Sequence, residues 1–245
     1  MARRLHIGTS GWLYPSWRES FYQGLPRRQW LAYAASRFTG LEINSTFYGT
    51  PKEDTLRKWR DAVAGDFCFA MKGHRFVTHR KRLKEPEEPV RRVRDSARPL
   101  GARLAAVVWQ LPGNLRCDLE RLRGFLRALR CWTAVPHAME FRHPSWFTDE
   151  VADCLGDHGV SVCMSDAATW PLWDAVTSDL VYIRLHGHTR TYASAYSTPL
   201  LRQWADAIGP WLAEGRRVHV YFDNDSEGAA PRDALRLLAM LDRRS

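Results

Sequence analysis

Four carboxylates in this 245-residue chain, Glu42, Glu140, Asp166 and Asp223, each stand at or just past the end of a short apolar run. Cations and imidazoles crowd the same ends: Lys72, His74, His79, Arg142, His143, Arg184, His186 and His188. Charges of both signs held close together push pKa values down and up, which is what acid–base chemistry requires. The plainer alternative is a set of buried ion pairs closing one end of a barrel. Glu42 or Glu140 alone fits either account; the four carboxylates together point to function.

The densest stretch is Glu140-Phe141-Arg142-His143-Pro144-Ser145-Trp146. Strand alternation puts Glu140 and Arg142 on one face and Phe141 on the other. Pro144 biases His143 toward an extended backbone at the lip, where it can move a proton, meet an anion or bond to nearby backbone. Arg184-Leu185-His186-Gly187-His188 repeats the pattern, and Gly187 is expected to let a ligand approach the main chain. Arginine suits bidentate contact with phosphate or carboxylate. The expected roles are therefore Glu42 and Glu140 as acid–base or metal-binding groups, with His143 and His186 handling protons. Lys72, Arg142 and Arg184 are expected to neutralise phosphate. His74, Asp223, Asn224 and the aromatic Trp12 and Trp146 complete the expected ligand-binding set. Carboxylates and histidines at strand ends can also hold a divalent metal. His186-Gly187-His188 is the nearest approach to a metallohydrolase motif, and no other cofactor is evident: there is no Gly-rich phosphate loop and no dinucleotide fingerprint.

Residues 72–84 carry eight basic groups if both histidines count, interrupted by Phe76. Basic residues with an interleaved aromatic fit a nucleic-acid backbone with base stacking; a solvated loop is the alternative. The formal net charge of +9 also favours polyanionic partners, although arginine is spread through the whole chain.

These side chains need a scaffold that brings strand ends together. Apolar runs at 5–9, 41–44, 67–72, 104–109, 138–141, 160–164, 180–185 and 218–222 alternate with helix-like stretches near 28–38, 50–63, 89–98, 118–129, 149–158 and 199–214. A last helix precedes the C-terminus and is expected to start at Pro231. Thr50-Pro51 reads as an N-cap followed by proline at the first helical position. Residues 167–177 lack a helical period, so one outer helix is expected to be missing or irregular. Eight such βα units predict an α/β fold, a single (β/α)8 TIM-like barrel over residues 1–245, with its site at the C-terminal ends of the strands.

Composition excludes several classes. At 45% hydrophobic the chain can bury a large core, but no run approaches the roughly 18 apolar residues of a membrane span. The first residues lack the apolar stretch of a secretory signal. Five widely spaced cysteines with no C-x-x-C argue against a zinc ribbon or a thioredoxin motif and for reduced thiols. A cytoplasmic protein without a membrane partner is expected.

Several motifs occur together: Gly8-Thr9-Ser10-Gly11-Trp12, Glu42-Ile43-Asn44-Ser45-Thr46-Phe47-Tyr48, Thr78-His79, Gln110-Leu111-Pro112, Glu140-Phe141-Arg142-His143, Ser145-Trp146, Arg184-Leu185-His186-Gly187 and Tyr221-Phe222-Asp223-Asn224-Asp225. In this order, over almost the whole chain, they resemble the YecE-like domain-of-unknown-function family. Gly113 stands where that pattern often has proline, and Asp223 where it has asparagine. The resemblance implies a TIM-like barrel without an established activity, likened in structure to zinc-dependent apurinic-site endonucleases and hence to DNA binding. Residues and resemblance together predict a basic, aromatic mouth that takes an anionic small molecule or nucleic acid, with phosphodiester hydrolysis as the accompanying reaction. The alternatives are a carbohydrate-active enzyme with paired carboxylates and stacking tryptophans, or a barrel that binds without catalysis.

Overall fold

Each strand alternates between two apolar environments, and that alternation builds the molecule. In the computed structural model, which describes residues 3–242, eight parallel strands form a nearly closed ring: β1 Leu5–Thr9, β2 Gly40–Ile43, β3 Cys68–Lys72, β4 Leu104–Gln110, β5 His137–Glu140, β6 Ser161–Asp166, β7 Leu180–Leu185 and β8 Arg217–Phe222. Ile7, Leu41, Phe69, Val107, Met139, Val162, Ile183 and Val220 point outward into the main core beneath the helices. The alternate positions Ala70, Ala106, Val108, Ala138, Cys163, Leu180, Tyr182 and Tyr221 form a separate lumen core. The lumen is lopsided: small side chains line it on β3 to β6, and two tyrosines fill it from β7 and β8. The expected (β/α)8 barrel is the observed fold.

Outer helices follow seven strands: α1 Trp30–Arg37, α2 Glu53–Asp61, α3 Glu87–Ala97, α4 Leu119–Leu129, α5 Asp149–Gly156, α6 Thr198–Ala213 and α7 Ala229–Asp242. Asp118, Thr148 and Ser197 cap α4, α5 and α6 by accepting a backbone N–H, satisfying first-turn donors that have no partner within the helix. No helix lies between β6 and β7, as the aperiodic stretch predicts. Instead Trp173 stacks on Phe147, with ring centroids 5.1 Å apart, and takes the place of a helix on the outside.

Four details depart from the sequence reading. Lys52, with no side-chain cap, precedes α2, so Thr50-Pro51 lies outside the helix. Helix α7 starts at Ala229, and α3 at Glu87. Pro231 and Pro89 then fall in first turns, where a missing N–H removes no helical bond. At Gly187 (φ +103°) a Cβ would lie 2.5 Å from the Arg190 carbonyl oxygen, so the protein's own loop occupies the room expected for a ligand.

The ring has two thin edges. Strands β5 and β6 pair only through Ala138 with Ser161 and Met139 with Val162. Strands β1 and β2 meet at a single bridge between Ser10 and Glu42, supported by Thr39 N–H to Ile7 O (3.1 Å) and Gly11 N–H to Glu42 O (2.8 Å). The second closure demands glycine, because a Cβ on Gly8 would sit 1.9 Å from the Gly40 carbonyl oxygen. No described helix is long and apolar enough to cross a membrane, and all five cysteines are free.

Candidate functional site

Two residues above the lumen tyrosines, the inward positions become ionic, and Arg184 on β7 is their hub. Its Nε and Nη2 donate to the two oxygens of Glu42 on β2, at 3.0 and 2.8 Å. Nη1 donates to Glu140 Oε2 on β5 (2.8 Å), and Nη2 also reaches Asp223 Oδ2 beyond β8 (2.9 Å) and Ser10 Oγ (3.1 Å). The side chains of Arg184, Glu42 and Glu140 are fully buried. Burial works against the charge on Arg184, Glu140 and Asp223, but mutual pairing wins. Arg184 is held well above its ordinary range by Glu42, Glu140 and Asp223 despite desolvation. Desolvation would raise the Glu140 carboxyl, yet Arg142 and Arg184 hold it well below the carboxylate range. Asp223 likewise falls to about 2, against burial, through Arg184 and His186.

His186 lies between the acids. Its Nε2 is 3.5 Å from Glu140 Oε1, and its Nδ1 is 3.0 Å from Asp223 Oδ2, though off the line of a hydrogen bond. Trp170 and Tyr192 close over the imidazole edge-on, with centroids 4.9 and 5.5 Å away. Arg142 donates to Glu140 Oε1 from Nε and Nη2 and lies 3.7 Å over the Trp170 ring. The segment without a helix thus supplies the roof of the mouth.

Lys72 ends β3 beside this network. Its residue is only 5% exposed, and Nζ sits 4.1 Å from the Phe47 ring centroid. Its carbonyl accepts the Thr46 hydroxyl (2.7 Å), but among the described residues its Nζ has neither a hydrogen bond nor an ion pair. Desolvation, helped by Arg184, lowers its pKa to about 8. His79, on the wide turn Phe76–Arg80, packs edge-on against the same Phe47 and is lowered to about 4 by burial and by Lys72.

The mouth therefore gathers Glu42, Glu140, Asp223, Lys72, Arg142, Arg184 and His186. Other expected site residues have different work. Arg184 was expected to hold an anion, but its N–H groups are directed at carboxylates and Ser10. Trp146 is fully buried and donates to Leu115 O (2.7 Å), and Trp12 packs on Trp59 and Phe69; both wedge loops onto the barrel. His143 accepts the Ser145 N–H and caps the turn Pro144–Trp146. Asn224 donates to Ser194 O and Asp233 Oδ2. His74 accepts the Phe76 N–H and lines a groove of about 490 Å³ with Phe76, Lys81 and Glu88, outside the mouth.

Sequence reasoning missed the hydroxyls. Ser10 Oγ and Tyr182 OH donate to Glu42 at 2.5 and 2.7 Å, and Ser165 Oγ donates to Glu140 at 3.2 Å. Their signal was strand period: Tyr182 is two residues before Arg184, and Ser165 is its lateral partner. Two chemical consequences follow. With a guanidinium fixed among Glu42, Glu140 and Asp223, those oxygens as placed do not fit a divalent metal. The same arginine stands between the two glutamates that a glycosidase would need free.

A family model described as "Protein of unknown function DUF72" matches residues 6–245. The chain belongs to this family. It is 23% identical to the UPF0759 protein YunF of Bacillus subtilis, over 97% of this chain and 95% of that one. It is 27% identical to the UPF0759 protein YecE of Escherichia coli over 58% of this chain and half of YecE. The crystal structure of a DUF72 family protein from Thermotoga maritima superposes with a TM-score of 0.87 at 26% identity, covering 98% of this chain and 100% of the other. A DUF72 structure from Enterococcus faecalis shares the fold, with a TM-score of 0.84 at 23% identity over 97% and 95% of the two chains.

Proposed function

We propose that the mouth binds a phosphate-bearing ligand, with Lys72 as the cation that meets it and the basic face of residues 73–84 extending the contact to nucleic acid. Lys72 carries the reading. It is a buried ammonium without an anionic partner, in a site where both arginines already have one. Desolvation opposes its charge, and Glu140, Asp223 and Glu42 favour that charge only from a distance, so an incoming anion would stabilise the charged form. Arg75 and Arg80 on the adjoining turn are exposed, and Arg75 shares Phe47 with Lys72 at 5.9 Å. An extended polyanion entering at Lys72 would run across them. In a hydrolytic step the proton carrier would be His186, which touches two carboxylates; Glu140, held ionised, accepts hydrogen bonds but does not donate a proton.

Calorimetry with inorganic phosphate and with a short single-stranded oligonucleotide tests this. Lys72→Met should weaken both by about tenfold or more, the scale of a lost charged hydrogen bond. Arg75→Glu with Arg80→Glu should weaken only the oligonucleotide, whose affinity should fall with salt by about −0.7 per phosphate contact on log–log axes. Phosphate affinity untouched by Lys72→Met would end the proposal. A phosphodiester such as bis(p-nitrophenyl) phosphate tests the hydrolytic step, which His186→Asn should abolish.

A further inference from the structure

The opposite end of the lumen holds a second cluster that the mouth does not use. His6 on β1, Cys68 on β3 and His219 on β8 project inward at the N-terminal end of the barrel, and all are buried. Barrel register brings them together. His6 is the lateral partner of His219, and their rings lie 4.6 Å apart. Between His6 and Cys68 runs β2, where the position facing both is Gly40; a Cβ there would come within 3.2 Å of His6 Cβ and 3.3 Å of Cys68 O. With no side chain on Gly40, the Cys68 sulfur reaches across to His6 Nδ1 at 3.1 Å. One donor atom from each of the three residues lies within 4.8 Å of the other two.

We propose that His6, Cys68 and His219 form a structural site for a thiophilic transition-metal ion of the zinc class. Two imidazoles and a thiol with no carboxylate suit such an ion and exclude magnesium or calcium, which require oxygen. The surroundings orient the donors as a second shell does. Arg3 O lies 3.2 Å from His6 Nε2; a proton there leaves the Nδ1 lone pair facing sulfur. Thr39 O, 3.2 Å from Nδ1, is the competing partner in the metal-free ring. His219 is fixed by Tyr221 OH on Nδ1 (2.9 Å) and by parallel stacking on Tyr182. Binding would release the Cys68 thiol proton to solvent and form a metal–thiolate bond. Its effect would be local and mechanical: two ligands lie on β1 and β8 and the third on β3, so the ion spans the thin edge between β1 and β2.

Metal-free full-length protein, with the exposed Cys131 and half-exposed Cys117 first blocked by maleimide, is titrated with Co²⁺. The expected result is one equivalent bound with a thiolate-to-cobalt charge-transfer band that Zn²⁺ displaces. Cys68→Ser should remove the band, and His219→Gln should lower Co²⁺ affinity about tenfold or more, both with an unchanged circular dichroism spectrum. Should Cys68→Ser fail to fold, wild-type protein in moderate urea supplies the readout: Zn²⁺ must protect Cys68, identified by mass spectrometry, from alkylation. No band, a band that survives Cys68→Ser, or protection of a different cysteine overturns the proposal.

Discussion

At the scale of single residues, Arg184 decides the state of the mouth. Removing it leaves Glu42 and Asp223 without a paired guanidinium, and Glu140 with Arg142 alone. Arg184→Met should therefore destabilise the chain by about 3–5 kcal/mol in urea unfolding, the cost of breaking a buried pair. Arg184→Lys should recover little, because a single ammonium cannot hold both oxygens of Glu42 while reaching Glu140 and Asp223. The network also sets the acid response. Asp223 titrates near 2 when folded and at about 3.9 when unfolded, so its contribution is complete above the unfolded value and is lost as pH falls toward 2. Urea midpoints measured from pH 5 to pH 2 should fall more steeply in wild type than in Asp223→Asn. Lys72 has the opposite slope. Its folded pKa of about 8 lies below an unfolded value of about 10.4, so the folded chain holds fewer protons between these values and gains stability as pH rises through them. The stability difference between wild type and Lys72→Met should shift toward wild type from pH 7.5 to pH 10. Charged members of this site were legible because strand period fixes which residues face inward. The hydroxyls of Ser10, Tyr182 and Ser165 were not: strand period puts Tyr182 on the face of Arg184, but a hydroxyl's carboxylate partner is set only when the strands are assembled.

Among the elements, existence was easier to read than boundary. Apolar runs disclosed all eight strands because a strand covered on both faces has no polar alternative. The first turns of α3 and α7 were misplaced because proline there was taken as a start, although it is equally tolerated two residues later. The starts of α4, α5 and α6, capped by Asp118, Thr148 and Ser197, fall within one residue of those read from the sequence. Tryptophans misled most. Trp12 and Trp146 sit at strand ends like ligands, yet their surface is spent on holding loops, and Trp170, in the stretch with no period, is the one that roofs the mouth. Gly8 makes an element-level prediction. Because the added methyl would meet backbone, relief requires moving β1 away from β2. Gly8→Ala should cost about 3 kcal/mol, the upper part of the usual overpacking range, read as a lowered thermal midpoint. Gly65→Ala serves as the comparison: its added Cβ meets nothing within 4 Å, so only the strain of its positive φ applies.

Taken whole, the molecule is two four-stranded leaves joined along two hems. One leaf is β2 to β5; the other is β6, β7, β8 and β1. The hems are the sparse contacts between β5 and β6 and between β1 and β2. Glu42 and Glu140 belong to the border strands of the first leaf, and Arg184, well inside the second, grips both. One side chain thus fastens both hems. Opening the barrel by parting the leaves would break few backbone bonds but must pull a guanidinium off two buried carboxylates. Amide hydrogen exchange should consequently treat the hems as a unit. The amides of Gly11 and Met139 should exchange together in wild type through a shared opening, and Arg184→Met should speed both, while Val108 and Val220, inside the leaves, keep exchanging through global unfolding. Independent exchange at the two hems would mean that the leaves do not move as bodies. If they do, a ligand that draws Glu140 away from Arg184 would loosen the hem between β5 and β6 along its length, and occupancy of the mouth would be felt as far away as Ser161 at the foot of β6.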